Sequence, residues 1–156
     1  MTMNPSTQNI RLANFADAEA ITEVMTASRN VALPYLPNLH SREKIQHWIE
    51  ATVLNNSTVW IAEVNNKTVG FLALAGDELD HLYVHPDFWS KGIGSQLLAL
   101  AKEQSPKLKL FTFQRNDRSR KFYEHHGFKL IELSDGSANE EREPDALYEW
   151  VTEYKS

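Results

Sequence analysis

The stretch Leu79-Asp-His-Leu-Tyr-Val-His-Pro-Asp-Phe-Trp-Ser-Lys-Gly-Ile-Gly-Ser-Gln-Leu-Leu98 predicts a buried strand, a glycine turn and a helix. The first N–H groups of a helix lack partners within it, and the aligned peptide dipoles make that end partly positive. Gly92 and Gly94 have no Cβ, so a bulky anion can approach their backbone, and Lys91 adds a positive charge. The stretch therefore predicts a phosphate-binding site at the start of a helix.

Two common nucleotide-binding motifs are absent from the sequence. A Walker loop requires Gly-x-x-x-x-Gly-Lys-Ser/Thr, and a dinucleotide site requires Gly-x-Gly-x-x-Gly. The third glycine of the second motif would fall at Leu97, and no acidic residue closes a following strand where it could bind ribose. Ordinary nucleotide binding is therefore not expected.

A second motif, Asn-Asp-Arg-Ser-Arg-Lys-Phe-Tyr-Glu-His-His-Gly-Phe, runs from Asn116 to Phe128. Together with the glycine turn it resembles the GNAT N-acetyltransferase superfamily, over roughly residues 59–128. That family carries Gln/Arg-x-x-Gly-x-Gly/Ala, then an Asn, and seven residues later a Tyr in Asn-x-x-Ala/Ser-x-x-Phe-Tyr-x-x-x-Gly-Phe. The matching positions are Trp89 to Gly94, Asn116, Ser119, Phe122, Tyr123, Gly127 and Phe128.

The chain departs from the family pattern at the first position of the glycine motif. Trp89 stands where the family usually has Gln or Arg, and Ser90 stands where Gly is common. The change affects one side-chain contact to the pyrophosphate of the cofactor. Because the backbone amides that follow are the same, we expect cofactor binding to survive.

The resemblance implies one α/β domain over residues 1–156, with residues 1–8 disordered. Its sheet would be mixed and mostly antiparallel, with six to seven strands, about four helices and a splayed parallel strand pair. The implied activity is that of an enzyme that moves the acetyl group of acetyl-CoA to a primary amine by direct attack in a ternary complex. Such a reaction needs no covalent enzyme intermediate, which agrees with the absence of cysteine.

The cofactor contacts implied by the resemblance come from the two motifs and the strand before them. Backbone groups of the strand would pair with pantetheine amides, and amides of the glycine turn would bind the pyrophosphate. Asn116 is expected both to cap its helix and to contact the pantetheine or a catalytic water. One or two of the basic residues at positions 115, 118, 120 and 121 could bind the 3′-phosphate. The expected cofactor-binding residues are Leu82, Tyr83, Val84, Lys91, Gly92, Ile93, Gly94, Ser95, Asn116 and Tyr123.

Two residues are expected to carry the proton transfers. A lysine-like amine has a pKa of about 10.4 and is almost wholly protonated at neutral pH, so a base must take its proton. Tyr123 is the expected acid for the departing thiolate, and Glu78 the expected base, acting through a water. Asp80, His81 and a chain of waters remain alternatives for the base. Strand alternation predicts Glu78, Asp80, Leu82 and Val84 on one face and Leu79, His81 and Tyr83 on the other, unless a bulge re-aims His81.

Charge and composition limit the partners. A net charge of −5 and an isoelectric point near 5.7 favour a cationic substrate and argue against a nucleic-acid or anionic membrane surface. A small cationic amine is the expected acceptor, bound by Tyr35, His40, Trp48 and Asp80. The alternatives are the N-terminus or a lysine of a protein or peptide, and a non-catalytic CoA-binding sensor module.

The remaining expectations concern metals, location and assembly. The six histidines show no metal-ligand spacing, so no metal is expected. With neither a signal peptide nor an apolar run long enough to span a membrane, the sequence favours a cytoplasmic protein. A homodimer, common in the family, is left open.

Hydrophobic periodicity and local signals predict the elements around the two motifs. Asn65-Asn66 predicts the primed turn of a hairpin, and Pro34 and Pro37 predict an irregular segment from Asn30 to His40. The expected strands are 9–14, 59–64, 68–74, 78–84, 108–113, 128–133 and 146–151. The expected helices start at Asp17, Ser41, Lys91 and Asn116, and those at Asp17, Lys91 and Asn116 end near Ser28, at Gln104 and at Gly127. Apolar stripes at helical spacing are expected at Ala18, Ile21, Val24 and Met25 in the first helix, at Ile45, Trp48, Ile49 and Thr52 in the second, and at Ile93, Leu97, Leu98 and Ala101 in the third.

Overall fold

The computed structural model describes residues 8–152 as a seven-stranded sheet with helices on both faces. The strands are β1 (Gln8–Leu12), β2 (Thr58–Val64), β3 (Lys67–Ala75), β4 (Glu78–Val84), β5 (Lys107–Phe113), β6 (Lys129–Ser134) and β7 (Asp145–Val151). The helices are α1 (Ala18–Ala32), α2 (Arg42–Trp48), α3 (Leu54–Asn56), α4 (Ile93–Gln104) and α5 (Asp117–His125). A π-helical turn, Ile49–Val53, joins α2 to α3, so these elements form four helical segments.

The sheet has the order β1-β2-β3-β4-β5-β7-β6, and every neighbouring pair except β4 and β5 is antiparallel. The parallel pair β4–β5 is registered at a single position, Glu78 opposite Lys109. Beyond it the two strands separate and leave a cleft between them. The predicted α/β fold, with a mostly antiparallel sheet and a splayed parallel pair, is confirmed.

Two apolar layers hold the helices against the sheet. On one face α4 packs on the middle of the sheet, where Leu97 and Leu72 are fully buried. On the other face α1 packs against β2 and β3 through Ile21 and Phe71. The predicted helix stripes are all buried: Ala18, Ile21, Val24 and Met25 in α1, and Ile93, Leu97, Leu98 and Ala101 in α4.

A β-bulge in β4 overturns the face assignment predicted from simple alternation. Leu79 and His81 lie opposite consecutive residues of β3, so Asp80 is the extra residue. Leu79 consequently packs in the α4 layer together with Leu82, whereas Tyr83 packs in the α1 layer. The prediction that Leu79 shares a face with His81 and Tyr83 is therefore wrong, because one extra residue reverses the side to which the preceding side chains point.

Both ends of α1 differ from the prediction. Asn14 caps a 3₁₀ turn before the helix, and the Asp17 carboxylate accepts hydrogen bonds from Arg11 and from the Asn14 N–H. Asp17 therefore occupies the N-cap position without capping the helix through its side chain. The helix also continues past Ser28 as far as Ala32.

The predicted apolar stripe of the second helical segment is only partly buried. Ile49 and Val53, four residues apart on one face, are buried, whereas Thr52 is exposed. Trp48 remains 38% exposed. Its ring meets the His81 ring edge to face, with centroids 5.2 Å apart.

Three local predictions are confirmed. The Ser41 side chain caps α2, and the Asn116 side-chain oxygen accepts a hydrogen bond from the Ser119 N–H. Asn65 and Asn66 have positive φ angles of 52° and 68°, as a primed turn requires. Apart from residue 8, which begins β1, the segment expected to be disordered lies outside the described residues. Within residues 8–152, no helix is both long and apolar enough to span a bilayer.

Gly70 allows α4 to approach β3 and thereby positions the glycine turn. A Cβ at this residue would lie 3.2 Å from the Tyr83 backbone oxygen and 3.3 Å from Ile93 Cγ2. We expect Gly70→Ala to lower the free energy of unfolding by about 1–3 kcal/mol, because the site is overpacked. Urea denaturation measures this loss. Thr68→Ala on the same strand is the control and should cost less than about 1 kcal/mol. A Gly70→Ala protein as stable as the wild type would contradict the close packing.

Candidate active site

The separation of β4 and β5 opens a cavity of about 420 Å³. Its walls are β4, the glycine turn, the start of α4, one face of α5 and part of α1. Lys91 is exposed and does not line the cavity, although the sequence predicted it to bind the cofactor. The other nine residues predicted for the cofactor all line it: Leu82, Tyr83, Val84, Gly92, Ile93, Gly94, Ser95, Asn116 and Tyr123.

A second cavity, of about 210 Å³, lies between β4 and β5 and reaches the bulge. Asp80, His81 and residues of β5 line it, together with Asn139 of the loop between β6 and β7 and Asp145 at the start of β7. The two cavities share six lining residues: Leu33, Leu82, Tyr83, Asn116, Ser119 and Tyr123. A group bound in one cavity can therefore meet a group bound in the other beside Tyr123.

The glycine turn presents an uncapped helix end to the larger cavity. Gly92 occupies the N-cap position of α4 with a φ of 84°, and no side chain caps the helix there. Ser90 also has a positive φ, of 64°, which shapes the turn before it. A Cβ placed on Gly94 would lie 3.4 Å from the Phe122 ring, whereas one placed on Gly92 would meet no atom within 4 Å. The predicted anion site thus has the required geometry.

The backbone of β4 offers hydrogen-bonding groups to the cleft. The His85 N–H donates to the Val69 carbonyl of β3 at 2.7 Å. Because backbone groups alternate in direction along a strand, those of Val84 and Leu82 point to the opposite edge, where β5 has moved away. Those of Tyr83 point to β3.

Trp89, at the position where the motif departs from the family, has a defined place in the site. Its Nε1 donates a hydrogen bond to the Val84 carbonyl at 2.7 Å, and the residue lines the larger cavity. The indole N–H therefore provides a hydrogen-bond donor for the carbonyl at the end of β4, which points towards the cleft. The N–H groups of the glycine turn are not involved in this contact.

Tyr123 is held rigidly where the cavities meet. It is 7% exposed, and its ring packs against Phe122 and Phe128 with centroid distances of 5.2 and 5.3 Å. Burial, and secondarily the neighbouring Tyr83, raises the pKa of the Tyr123 phenol. The hydroxyl is therefore protonated at neutral pH and can donate a hydrogen bond into either cavity.

The three side chains considered for the base occupy different positions. Glu78 is exposed at the end of β4 that remains paired with β5, and it lines neither cavity. Asp80 and His81 line the smaller cavity. Partial burial, and then Glu78, raises the pKa of the Asp80 carboxyl. Burial, and then Arg29, lowers the pKa of His81 to about 4, so its ring is neutral at pH 7.

Arg29 is a residue of the site that the sequence analysis missed. It lines the larger cavity from α1 and donates a hydrogen bond to Glu141 at 3.1 Å. Burial opposes its charge, but Tyr83 and Glu141 outweigh this effect and raise its pKa. The sequence did contain a signal for this residue, because Arg29 follows Met25 by four residues. That spacing places a charged side chain on the buried stripe of α1.

Three residues predicted to bind the acceptor surround the cavities rather than line them. His40 is exposed and its Nε2 lies 2.9 Å from a carboxylate oxygen of Glu140. Tyr35 lies under the Arg115 guanidinium, 3.6 Å from the ring centroid. Trp48 reaches the smaller cavity only through its contact with His81. Of the four predicted acceptor residues, only Asp80 lines a cavity.

The acidic loop between β6 and β7 is bound to the rest of the protein. Glu140, Glu141 and Glu143 lie within ion-pair distance of His40, Arg29 and Arg115. Arg115 engages Glu143 with two nitrogens, at 2.7 and 2.9 Å. These contacts therefore attach the loop to α1, to the segment between α1 and α2, and to the residues before α5.

Comparison with known proteins places these features in a family. Residues 55–130 match the family model for the acetyltransferase (GNAT) domain. The chain is 27% identical over 128 residues to the peptidyl-lysine N-acetyltransferase YjaB of Salmonella typhimurium, covering 81% of this chain and 87% of that protein.

Two solved structures have a similar fold. The solution structure of apo-form YjaB from Escherichia coli has a TM-score of 0.77 and 23% identity, over 93% of this chain and 98% of that one. The PaiA N-acetyltransferase of Thermoplasma acidophilum, solved in complex with coenzyme A, has a TM-score of 0.68 and 24% identity, over 93% and 99% of the two chains.

The neutral state of His81 predicts a pH dependence of stability. A histidine whose pKa is lower in the folded than in the unfolded protein stabilises the fold at high pH and loses that contribution as the pH falls. With a folded pKa of about 4 against about 6.5 unfolded, the loss between pH 7 and pH 5 is about 2 kcal/mol. We expect the His81→Phe variant to lose about 2 kcal/mol less of its free energy of unfolding between the two pH values than the wild type does. Chemical denaturation of both proteins at the two pH values measures the difference.

The matched control is His47→Phe, at an exposed position of α2. It should lose as much stability between pH 7 and pH 5 as the wild type. If His81→Phe also loses as much as the wild type, His81 is not neutral in the folded protein.

Proposed function

The chain belongs to the GNAT superfamily of N-acetyltransferases, and we propose that it transfers the acetyl group of acetyl-CoA to the side-chain amine of a lysine in a peptide or protein. The observation that carries the proposal is the meeting of two cavities beside Tyr123, one of them ending at an uncapped helix N-terminus. A cofactor and an acceptor entering from opposite sides would bring thioester and amine together there.

The larger cavity offers groups that could bind the diphosphate and the pantetheine arm of acetyl-CoA. The diphosphate would bind the amides at the start of α4, where Gly92 and Gly94 leave room for it. The pantetheine arm would pair with the Leu82 backbone and the Val84 N–H, which point into the cleft. Since the Val84 carbonyl already accepts the Trp89 indole, it is not available to the cofactor.

Tyr123 acts in this proposal as the acid beside the leaving sulfur. Its raised pKa keeps the phenol protonated, and a hydrogen bond from its hydroxyl stabilises the thiolate as the carbon–sulfur bond breaks. Asn116 and Ser119 share the junction of the cavities and fix the start of the helix that carries Tyr123.

Asp80 is the best-supported base among the three side chains considered. It lines the smaller cavity, and its raised pKa makes it a better proton acceptor than an ordinary carboxylate. Its charge also attracts an ammonium group. His81 is a weaker base because of its lowered pKa, and Glu78 would need a longer chain of waters to reach the cavity.

Lysine is the proposed acceptor because the similar YjaB of Salmonella typhimurium is named a peptidyl-lysine N-acetyltransferase. A small cationic amine is the second candidate, favoured by the acidic side chain of Asp80 at the cavity and by the net charge of −5. The two candidates share the ammonium group and differ in whether a peptide backbone accompanies it.

Release of CoA thiol from acetyl-CoA tests the function. The purified protein is assayed with lysine-containing peptides, the same peptides with the lysine side chain already acetylated, polyamines, amino acids and aminoglycosides. We expect release only with peptides carrying a free lysine amine. Release with polyamines alone would favour the second candidate. If no amine supports release while acetyl-CoA still raises the melting temperature, a CoA-binding sensor becomes the better description.

Replacing Tyr123 tests the acid. We expect Tyr123→Phe to lower kcat by about 10²–10⁴-fold while the affinity for acetyl-CoA changes little, because only the hydroxyl is lost. Steady-state kinetics and calorimetric titration with acetyl-CoA separate the two effects. Unchanged turnover at all pH values would contradict the assignment.

Matched amide variants distinguish the bases. We expect Asp80→Asn to lower kcat by at least about 10²-fold, and Glu78→Gln to change it less than about threefold. The pH profile of kcat/KM is measured for both proteins. The reverse order of effects would restore Glu78 as the base, as the sequence predicted.

A further inference from the structure

The glycine motif of this chain lacks the Gln or Arg side chain with which the motif usually begins, because Trp89 stands there. The indole Nε1 is already used, since it donates to the Val84 carbonyl at 2.7 Å. Trp89 therefore cannot offer a donor or a positive charge to a phosphate bound at the turn. Another residue must supply any side-chain contact of this kind.

Arg118 of α5 lies directly over the Trp89 ring, with its guanidinium carbon 4.1 Å from the ring centroid. Both residues line the larger cavity, on the same side as the glycine turn. The indole face attracts a guanidinium placed over it, and the planar guanidinium carries several N–H groups that can bind an anion in a bidentate manner. The hydrogen bond to Val84 in turn fixes the indole on which Arg118 rests.

The neighbouring cations are placed differently. Arg115 forms an ion pair with Glu143, and Arg120 donates to the Tyr148 hydroxyl and to the Gln114 carbonyl. Lys91 lies outside the cavity. Lys121 lines the cavity, but no ring among residues 8–152 lies against its ammonium group to hold it in place.

We propose that Arg118, held against Trp89, supplies the side-chain contact to the CoA diphosphate that the first position of the motif no longer provides. In this chain the positive charge is therefore carried by α5 instead of by the first position of the motif, and Trp89 holds the Arg118 side chain in place. This inference rests on the proposed function, because it assumes that CoA occupies the larger cavity.

Calorimetric titration with CoA and with dephospho-CoA, which lacks the 3′-phosphate, tests the proposal. We expect Arg118→Gln to weaken the binding of both ligands by about tenfold or more, as the loss of a charge-assisted hydrogen bond predicts. Arg42→Gln is the matched control, because Arg42 pairs with Glu23 and lines neither cavity. It should bind both ligands as the wild type does.

A second variant tests the exchange of positions. Trp89→Arg combined with Arg118→Gln returns the charge to the usual place, and we expect it to bind CoA within about threefold of the wild type. Circular dichroism and thermal melting establish that each variant is folded. Arg118→Lys keeps the charge without the planar group and should recover only part of the affinity.

The outcomes separate this inference from the proposed function. If wild-type protein binds CoA and Arg118→Gln binds it equally well, the role of Arg118 is overturned and the proposed function stands. If Arg118→Gln weakens CoA but not dephospho-CoA, Arg118 contacts the 3′-phosphate and the diphosphate assignment is wrong. A wild-type protein that binds neither ligand would overturn the proposed function together with this inference.

Discussion

The separation of β4 from β5 is the constraint on which the rest of the site depends. These parallel strands are registered only where Glu78 faces Lys109, and beyond that point the edge of β4 that faces β5 is paired with no strand of residues 8–152. Unpaired backbone groups must find other partners, so a sheet that opens in this way creates a binding site for an extended, amide-containing ligand. The indole of Trp89 satisfies one of these groups, the Val84 carbonyl, and the remainder face the cavity.

The bulge at Asp80 makes the two faces of β4 serve different purposes. Below it Leu79 packs with the α4 layer, and above it His81 and Tyr83 point towards α1 and α2. One extra residue thus brings a carboxylate and a neutral imidazole to the smaller cavity while Leu82 stays in the apolar layer. Such bulges bend a strand and re-aim its side chains beside a site.

Ion pairs between distant segments complete the walls of the site. The loop between β6 and β7 is acidic, yet its carboxylates are engaged by Arg29, His40 and Arg115 instead of facing an incoming amine. Arg115 is thus engaged by Glu143, whereas Arg118 lines the larger cavity. Tertiary contacts therefore determine which charged side chains are paired and which line a cavity. The net charge alone does not identify the residues that meet a ligand.

Several local features could be predicted from short segments of the sequence. The glycine turn, the cap at Asn116, the Asn65-Asn66 hairpin and the buried helix stripes follow from backbone geometry and hydrophobic periodicity, which act over a few residues. The bulge at Asp80, the placement of Arg118 over Trp89 and the pairing of Arg29 with Glu141 became visible only in the folded chain. These depend on residues brought together from distant parts of the chain, and no local spacing carries that information.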